Sequence, residues 1–206
     1  WLLVEVDRAG LERMGGSVDG MVRASGAIEA LVVEDPMVAR RIWRLRADGV
    51  GLAGTAPSGE PAWPGGGDAA VPPERLGDYL RGLSALLSRF RLDGLLYGHF
   101  GEGCVHQRID FPLHRSSEML GDFMREAAEL AVSFGGSLSG EHGDGRARSS
   151  LLPVMYSPAA IRLMEKLKAL FDPENRLNPG IIVAPAPLIA ALRLPIEILE
   201  TDRAGS

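Results

Sequence analysis

The sequence predicts an α+β fold in which helices pack on one face of an antiparallel sheet. Two apolar segments that contain β-branched residues, 2–6 and 29–34, have the length and composition of strands. Two further strands are predicted at 94–98 and 104–111, and a short glycine-rich turn joins them. Helical patterns lie between these segments and after them, and the last part of the chain is mainly helical. This order of elements is typical of the α+β class.

Five segments predict helices from their end residues or from their spacing. Asp35 before Pro36 is a typical N-cap followed by a first-turn proline. After Pro73, leucines and a phenylalanine recur at helical spacing, which places them on one face. A stretch rich in glycine and proline, 49–72, predicts a long loop with a functional or disordered role. The predicted helices cover residues 17–27, 36–47, 73–90, 117–134 and 158–171.

Composition and charge place the chain among ordinary globular proteins. Its 206 residues are 46% hydrophobic and 24% charged, with a formal net charge of −5, which argues against a nucleic-acid partner. No apolar run reaches the roughly 20 residues of a membrane-spanning helix. The single cysteine, Cys104, excludes an internal disulfide and fits a reducing compartment. We expect a cytoplasmic protein, and a peripheral position at the inner face of the membrane is left open.

The first residues, WLLVEVD, do not begin with Met and lack the basic region of a signal peptide. They predict a strand that starts in the middle of a longer protein. We therefore expect the chain to be a fragment.

Three of the four histidines lie in two short glycine-rich segments. His99 and His106 are separated by a turn, so their imidazoles can converge if the flanking strands form a hairpin. Two imidazoles and one carboxylate form a common ligand set for Zn²⁺ that leaves one position open. Glu141, next to His142 in the second segment, is the natural third ligand.

Spacing alone leaves alternatives to this ligand set. A histidine in a glycine-rich turn is often a hydrogen-bonded structural residue, and this spacing is less strict than that of a zinc finger. Glu102 and Asp144 are nearby carboxylates that compete with Glu141. His114 is isolated and is interpreted as a surface residue.

Three motifs in order carry a resemblance to a known family. They are GHFGEGCVH at 98–106, SGEHGDGRAR at 139–148 and FDPENRLNPG at 171–180. With WRLR at 43–46 and AVPPERL at 70–76, they resemble the C-terminal domain of FAD-linked oxidases of the vanillyl-alcohol-oxidase type. This group includes D-lactate dehydrogenases, the flavin subunit of glycolate oxidase and D-2-hydroxyglutarate dehydrogenase. Any one motif is weak, whereas three in the same order are specific.

The resemblance implies a domain organisation. Residues 1–183 would form the substrate-and-metal domain, a ferredoxin-like cap with a helical C-terminal segment, and 184–206 would be a tail. The N-terminal domain that binds most of the FAD is absent from this sequence. The chain alone is therefore expected to be inactive.

The resemblance also implies a metal site. His99, His106 and Glu141 would hold Zn²⁺ or another divalent metal. Such a metal would act as a Lewis acid on a 2-hydroxy acid chelated through its carboxylate and hydroxyl.

The remaining implied roles concern the substrate and the flavin. His142 would accept the proton of the substrate hydroxyl, a role that suits a neutral imidazole near pH 7. Arg46 would pair with the substrate carboxylate through its planar fork. Asn178 would lie near the flavin ring, and Glu141 and His142 would also take part in cofactor binding.

The implied reaction is the oxidation of a D-2-hydroxy acid, such as D-lactate or glycolate, to the 2-oxo acid by hydride transfer to flavin N5. Some relatives hold a second substrate carboxylate with a lysine downstream of the arginine. No lysine lies between Arg46 and Pro73. This absence argues against a dicarboxylic substrate such as 2-hydroxyglutarate.

Two residues depart from the family pattern. Glu102 stands where aspartate is usual, and Cys104 stands where many members have asparagine. The thiol of Cys104 either joins the metal ligands or packs as a small apolar group. Arg146 and Arg148 follow the second histidine segment, and contact with flavin or substrate and surface ion pairing fit them equally well.

Two other functions remain open. One is part of a flavin oxidase that uses no metal, and the other is a non-catalytic subunit or interaction module of such a complex. An iron–sulfur domain or subunit as electron acceptor and a homodimeric assembly are also left open.

Overall fold

The computed structural model describes residues 2–6, 12, 17–52, 54–63, 68–113, 118–190 and 192. The chain divides into two compact units, Trp1–Leu52 and Ala53–Ser206. Within the described ranges, none of the helices has the length and apolar character needed to cross a membrane.

In the part of the first unit that the structure describes, two helices have defined bounds, α1 (Val18–Ser25) and α2 (Pro36–Leu52). The side chain of Ser17 caps α1 by accepting a hydrogen bond from the amide of Gly20 at 3.0 Å, and Gly26 ends the helix with φ of 66°. The predicted helix at 17–27 is therefore confirmed.

Two predictions for this unit are wrong. The segments 2–6 and 29–34, predicted as strands, adopt no strand conformation. A strand needs a hydrogen-bonded neighbour, whereas the side chains of Leu2 and Leu31 are 68% and 80% exposed. The second helix does not end at Ala47 but continues through two glycines to Leu52, since one glycine weakens a helix by only about 1 kcal/mol.

The second unit contains a three-stranded antiparallel sheet. Its strands are β1 (Asp68–Ala70), β2 (Gly94–Tyr97) and β3 (Cys104–Ile109), in the spatial order β1–β3–β2. The predicted pairing of β2 with β3 is confirmed, with Gly94 opposite Ile109 and Tyr97 opposite His106.

Strand β1 was not predicted, because it lies in the glycine- and proline-rich stretch interpreted as loop. Its residues pair with β3, and Asp68 stands opposite His106. Upstream of β1, the amide of Trp63 donates to the carbonyl of Ile109 at 2.8 Å. The stretch is thus partly ordered by contacts with β3, which local composition does not reveal.

Along the chain, the helices of this unit lie between the strands and after them. The long helices are α3 (Leu76–Phe90), α4 (Glu118–Ser133) and α7 (Pro158–Phe171). Two single-turn helices, α5 (Gly145–Arg148) and α6 (Leu152–Met155), lie between α4 and α7. Short 3₁₀ turns occur at Pro73–Arg75, Phe100–Glu102 and Ser149–Leu151.

Helices α3 and α4 cover one face of the sheet, so the predicted α+β class is confirmed. Tyr79 and Leu83 of α3 and Phe123 of α4 are fully buried in one core with Val105 and Ile109 of β3. Side chains alternate along a strand, so His106, which follows Val105, points to the opposite face of the sheet.

Candidate functional site

The site lies on the face of the sheet away from α3 and α4. His106 of β3 is the central residue, with Tyr97 of β2 and Asp68 of β1 as its cross-strand neighbours. The rings of Tyr97 and His106 are 5.2 Å apart between centroids. The imidazole of His106 is therefore held on a rigid platform rather than on a loop.

His99 reaches this platform from the turn between β2 and β3. The turn packs tightly against β3. A Cβ at Gly98 would lie only 2.4 Å from the carbonyl oxygen of Cys104, and the φ of Gly98 is 149°. Only glycine fits such a position. The rings of His99 and His106 are consequently 5.9 Å apart and nearly perpendicular, at 79°.

Glu141 arrives from the loop between α4 and α5 and faces both histidines. Its Oε1 is 3.2 Å from Nε2 of His106, and its Oε2 is 3.6 Å from Nε2 of His99. One potential ligand atom from each of the three residues lies within 4.8 Å of the others. The structure thus brings together His99, His106 and Glu141, the three residues proposed as ligands.

His142 completes the cluster. Its ring stacks on that of His106 with 4.8 Å between centroids and 9° between planes, and its Nε2 lies 3.3 Å from Oε1 of Glu141. The side chain of His142 is 59% exposed, whereas that of His106 is 10% exposed. A small molecule can therefore approach His142 from solvent.

The loop that carries Glu141 and His142 is held by Asp68, a residue that the sequence reasoning missed. The carboxylate of Asp68 is fully buried and accepts hydrogen bonds from the backbone amides of both residues, each at 2.6 Å. Arg148 pairs with the same carboxylate at 2.8 Å and is itself buried. A lone aspartate at the start of an alanine-rich segment is the only signal of this role in the sequence.

Burial and charge set the protonation of the site. Burial by itself raises the pKa of Asp68, but the amides of His142 and Glu141 and the guanidinium of Arg148 outweigh it and hold that pKa below its usual range. Burial lowers the pKa of His106, and the neighbouring His142 acts in the same direction. Asp68 is therefore a carboxylate and His106 a neutral imidazole near neutral pH.

Cys104 packs as a small apolar group. It is 6% exposed, and burial raises the pKa of its thiol to about 11, with smaller contributions from nearby carboxylates. A Cβ at Gly140 would lie 2.7 Å from its Sγ. Among the residues that the structure describes, the potential metal-binding cluster does not include Cys104.

The other predicted site residues have different outcomes. Arg46 belongs to α2, but its side chain lies outside the described residues, as does the whole of His114. Arg146 is exposed, whereas Arg148 contacts Asp68 inside the domain. For Arg148, the structure therefore shows an internal ion pair rather than a surface one.

Asn178 is exposed in the loop after α7 and adopts a left-handed conformation, with φ of 47°. This loop is tied to the histidine loop through Ser149. The Ser149 hydroxyl accepts a hydrogen bond from the amide of Ile182 at 2.8 Å and donates one to the carbonyl of Gly145. The loops that contain SGEHGDGRAR and FDPENRLNPG are thus linked in space.

The donor set fits a divalent cation. In a tetrahedral zinc site with ligands about 2.1 Å from the ion, ligand atoms are about 3.4 Å apart. The separations of 3.2 Å and 3.6 Å involve different oxygens of Glu141, and one ligand atom from each residue lies within 4.8 Å of the others, so the three residues surround one point at wider spacing than a closed zinc site. For a flavin, the exposed amide of Asn178 offers hydrogen bonds of the kind that a heterocyclic ring accepts and donates.

A solvent-accessible cluster of three imidazoles and a carboxylate, set in glycine-rich loops over a small sheet, is typical of an enzyme domain. The chain belongs to the FAD-linked oxidases: residues 1–182 match the family described as FAD linked oxidases, C-terminal domain.

Similar proteins carry several names within this family. A D-2-hydroxyglutarate dehydrogenase of Haemophilus influenzae is 37% identical over 147 residues, which cover 70% of this chain and 14% of that protein. A D-lactate dehydrogenase of Archaeoglobus fulgidus is 40% identical over 118 residues, covering 56% and 26%. A glycolate oxidase subunit of Bacillus subtilis is 30% identical over 119 residues, covering 57% and 25%. The matched segments therefore span between 14% and 26% of these relatives.

Proposed function

We propose that this chain is the substrate-and-metal part of an FAD-dependent dehydrogenase that oxidises a D-2-hydroxy acid to the 2-oxo acid. In this proposal, the rest of the protein supplies an N-terminal domain that binds most of the FAD. The relatives named as dehydrogenases and as a glycolate oxidase subunit support this reaction class.

One observation carries the proposal: His99, His106, Glu141 and His142 converge on one solvent-accessible surface from two separate motifs. Two neutral imidazoles and a carboxylate suit Zn²⁺ or another divalent cation and leave room for a chelating substrate. The fourth residue, His142, lies beside this set and does not have to serve as a ligand. The arrangement thus provides a cation site and an adjacent base.

The protein's own groups then have separate tasks. His99, His106 and Glu141 hold the cation, and the substrate is oriented by its carboxylate and its 2-hydroxyl. His142 accepts the hydroxyl proton at a ring nitrogen as C2 is oxidised. Arg46 is proposed to pair with the substrate carboxylate through its guanidinium fork.

When bound, the cation would supply Lewis acidity to the substrate oxygens and the flavin would supply the acceptor for the hydride of C2, chemistry that side chains lack. Asn178, in the loop tied to Gly145 through Ser149, is proposed to bind the flavin ring edge.

For the substrate, we propose a monocarboxylic 2-hydroxy acid such as D-lactate or glycolate. The segment 47–72 contains no lysine that could hold a second carboxylate. The relatives include enzymes named for D-lactate and for D-2-hydroxyglutarate, so they support either side chain.

The proposed function is tested with the native protein, purified with its flavin. Reduction of an artificial electron acceptor is measured with D-lactate, L-lactate, glycolate and D-2-hydroxyglutarate, before and after treatment with a chelator. We expect D-lactate or glycolate to give the highest kcat/KM, and chelation to abolish activity until Zn²⁺ or Mn²⁺ is restored. Full activity in a metal-free protein would favour a flavin oxidase that uses no metal, and inactivity with every substrate would favour a non-catalytic subunit.

The assignment of His142 as the base gives a separate prediction. His142→Ala should lower kcat by roughly 10²–10⁴-fold, which is the usual contribution of a general base, and should change KM much less. Glu141→Ala should lower both kcat and substrate affinity, because it removes a proposed ligand. Steady-state kinetics of both variants, with flavin and metal content measured in parallel, check the two roles. Near-normal kcat in His142→Ala with flavin and metal retained would show that His142 is not the base.

A further inference from the structure

The buried carboxylate of Asp68 occupies an unusual position. It starts β1, stands opposite His106 in the sheet and has no solvent exposure. An ionised carboxylate is costly to bury unless it is paired and hydrogen-bonded. The contacts that compensate this cost therefore show which part of the fold the carboxylate serves.

In the loop between α4 and α5, the groups that donate hydrogen bonds to Asp68 belong to one short segment, 139–142. Oδ2 accepts the amide protons of Glu141 and His142 at 2.6 Å each, and the hydroxyl of Ser139 lies 3.1 Å from Oδ1. The carbonyl of Asp68 also accepts the amide of Gly140 at 2.5 Å. Every residue of the segment is thus attached to Asp68.

Arg148 closes the arrangement from the other side. Its Nη2 lies 2.8 Å from Oδ1 of Asp68, while its Nη1 donates to the carbonyl of Gly143 at 2.6 Å. The rigid guanidinium fork makes both contacts at once, which the single ammonium of a lysine does less well. The loop is therefore held on both sides of Glu141 and His142.

Asp68 acts on the site through the backbone of its neighbours. The ring of His142 is 3.9 Å from Oδ2, which is too long for a hydrogen bond. The oxygens of Asp68 are already used by the loop and by Arg148, and the three residues that form the potential metal cluster do not include Asp68.

We propose that Asp68 and Arg148 are the positioning pair that fixes the Glu141–His142 backbone, so that the Glu141 carboxylate and the His142 imidazole face His99 and His106. The metal and kinetic consequences of this proposal rest on the proposed function, whereas the positioning of the loop does not. Ligand and base geometry in enzymes depends on such supporting contacts, and loss of one typically lowers metal affinity about 10–100-fold.

The test compares two buried aspartates in the native, flavin-loaded protein. Asp68→Asn keeps the shape of the side chain but replaces one acceptor oxygen by a donor group. The matched control is Asp172→Asn, since Asp172 also accepts two backbone amides and pairs with a cation, Lys168, in the loop after α7. Zn²⁺ affinity is measured by competition with a chelating dye, and hydrogen exchange is measured at the Glu141 and His142 amides.

We expect Asp68→Asn to weaken Zn²⁺ binding at least about 10-fold and to reduce the protection of the Glu141 and His142 amides more than that of the β3 core, because the remaining acceptor oxygen is uncharged and the amide group opposes Arg148. With D-lactate, kcat should fall and KM should rise, because the base and a proposed metal ligand are both misplaced. Asp172→Asn should leave Zn²⁺ affinity and both amides as in the parent protein. A purely structural role for Asp68 would instead lower protection equally at these two amides and in the β3 core.

Arg148→Lys provides a second variant in case Asp68→Asn does not fold. It keeps the charge but loses the simultaneous contact with Gly143, so Zn²⁺ binding should weaken by about 3–10-fold. Parent-like Zn²⁺ affinity and amide protection in a folded Asp68→Asn, or in Arg148→Lys if only that variant folds, would overturn the proposal. If the parent protein binds no Zn²⁺ and oxidises no 2-hydroxy acid, the proposed function fails, and the two amides alone still decide whether Asp68 positions the loop.

Discussion

Asp68 and Asp172 perform the same structural task, because each organises the backbone of a loop. Each is a buried carboxylate that accepts two backbone amides and pairs with one cation, Arg148 for Asp68 and Lys168 for Asp172. The partners of Asp172 are four and five residues away, whereas those of Asp68 are 73 and 74 residues away. One loop is organised locally and the other by the tertiary fold.

The difference shows that local contacts organise the loop after α7, whereas the geometry of the candidate site depends on contacts between distant segments. Asp172 ends α7, and its partners are in place as soon as the helix and the next turn have formed. Asp68 finds its partners only after β1 has paired with β3 and the loop after α4 has returned to the sheet. The loop with the candidate ligands and base is therefore coupled to the whole domain.

The largest expected effect comes from removing the two cations. Arg148→Met leaves the charge of Asp68 buried and unpaired, and should lower the free energy of unfolding by roughly 3–5 kcal/mol. Lys168→Met should cost clearly less, because its partner lies at a helix end where water can replace the ammonium. Urea unfolding followed by near-UV circular dichroism measures both. Equal losses would show that the two ion pairs are equivalent.

An intermediate effect is expected from glycines in the two loops. Gly140→Ala would place a Cβ 2.7 Å from Sγ of Cys104 and 3.0 Å from the carbonyl oxygen of Asp68, an overpacking that should cost about 2–3 kcal/mol. At Gly180 the nearest atom would be 3.9 Å away, and the positive φ of 74° should cost about 1 kcal/mol.

Adding Cys104→Ala distinguishes the overpacking at Gly140 from the backbone strain at Gly180. This second substitution removes the Sγ contact and should restore part of the stability of Gly140→Ala, but none of that of Gly180→Ala. The double-mutant cycle is measured by the same urea unfolding. A lack of coupling between Gly140 and Cys104 would argue against their close packing.

The smallest effect is a pH dependence at Asp172. Hydrogen bonds from Lys168 and from the amide of Leu177 lower its pKa to about 2, against about 3.9 in an unfolded chain. Because the folded pKa is the lower one, this carboxylate stabilises the fold fully above about pH 4 and loses that contribution as the pH falls towards 2. Asp172→Asn should therefore melt below the parent protein at pH 7, and the difference in Tm should narrow at pH 3. If the difference in Tm between the two proteins does not change with pH, the pKa of Asp172 is not lowered by folding.

Several elements could be predicted because their signals are local. Ser17 and Gly26 mark the ends of α1, Pro158 marks the start of α7, and the glycine-rich turn marks the β2–β3 hairpin. The histidine motifs were also recognisable from the sequence. The β2–β3 hairpin brings His99 and His106 together, and short-range patterns encode hairpins well, whereas the approach of Glu141 and His142 depends on the distant Asp68.

Other elements could not be predicted because they depend on distant partners. β1 consists of three residues in a glycine- and proline-rich stretch, and it is a strand only because β3 lies beside it. Conversely, the segments 2–6 and 29–34 have the composition of strands but adopt no strand conformation. Composition alone does not distinguish these cases, since strand formation requires a paired neighbour.

The sequence by itself determined the α+β class, the helix ends other than that of α2, the hairpin and the candidate histidines, and the resemblance of its motifs selected Glu141 among the nearby carboxylates. The helix ends and the hairpin follow from residues a few positions apart, where backbone geometry leaves few alternatives. Only the tertiary structure decided that Asp68 holds the Glu141–His142 loop, that Arg148 is internal and that Cys104 packs against Gly140. These contacts join segments up to 80 residues apart, and a buried charge selects its partners only when the packed fold has excluded water around it.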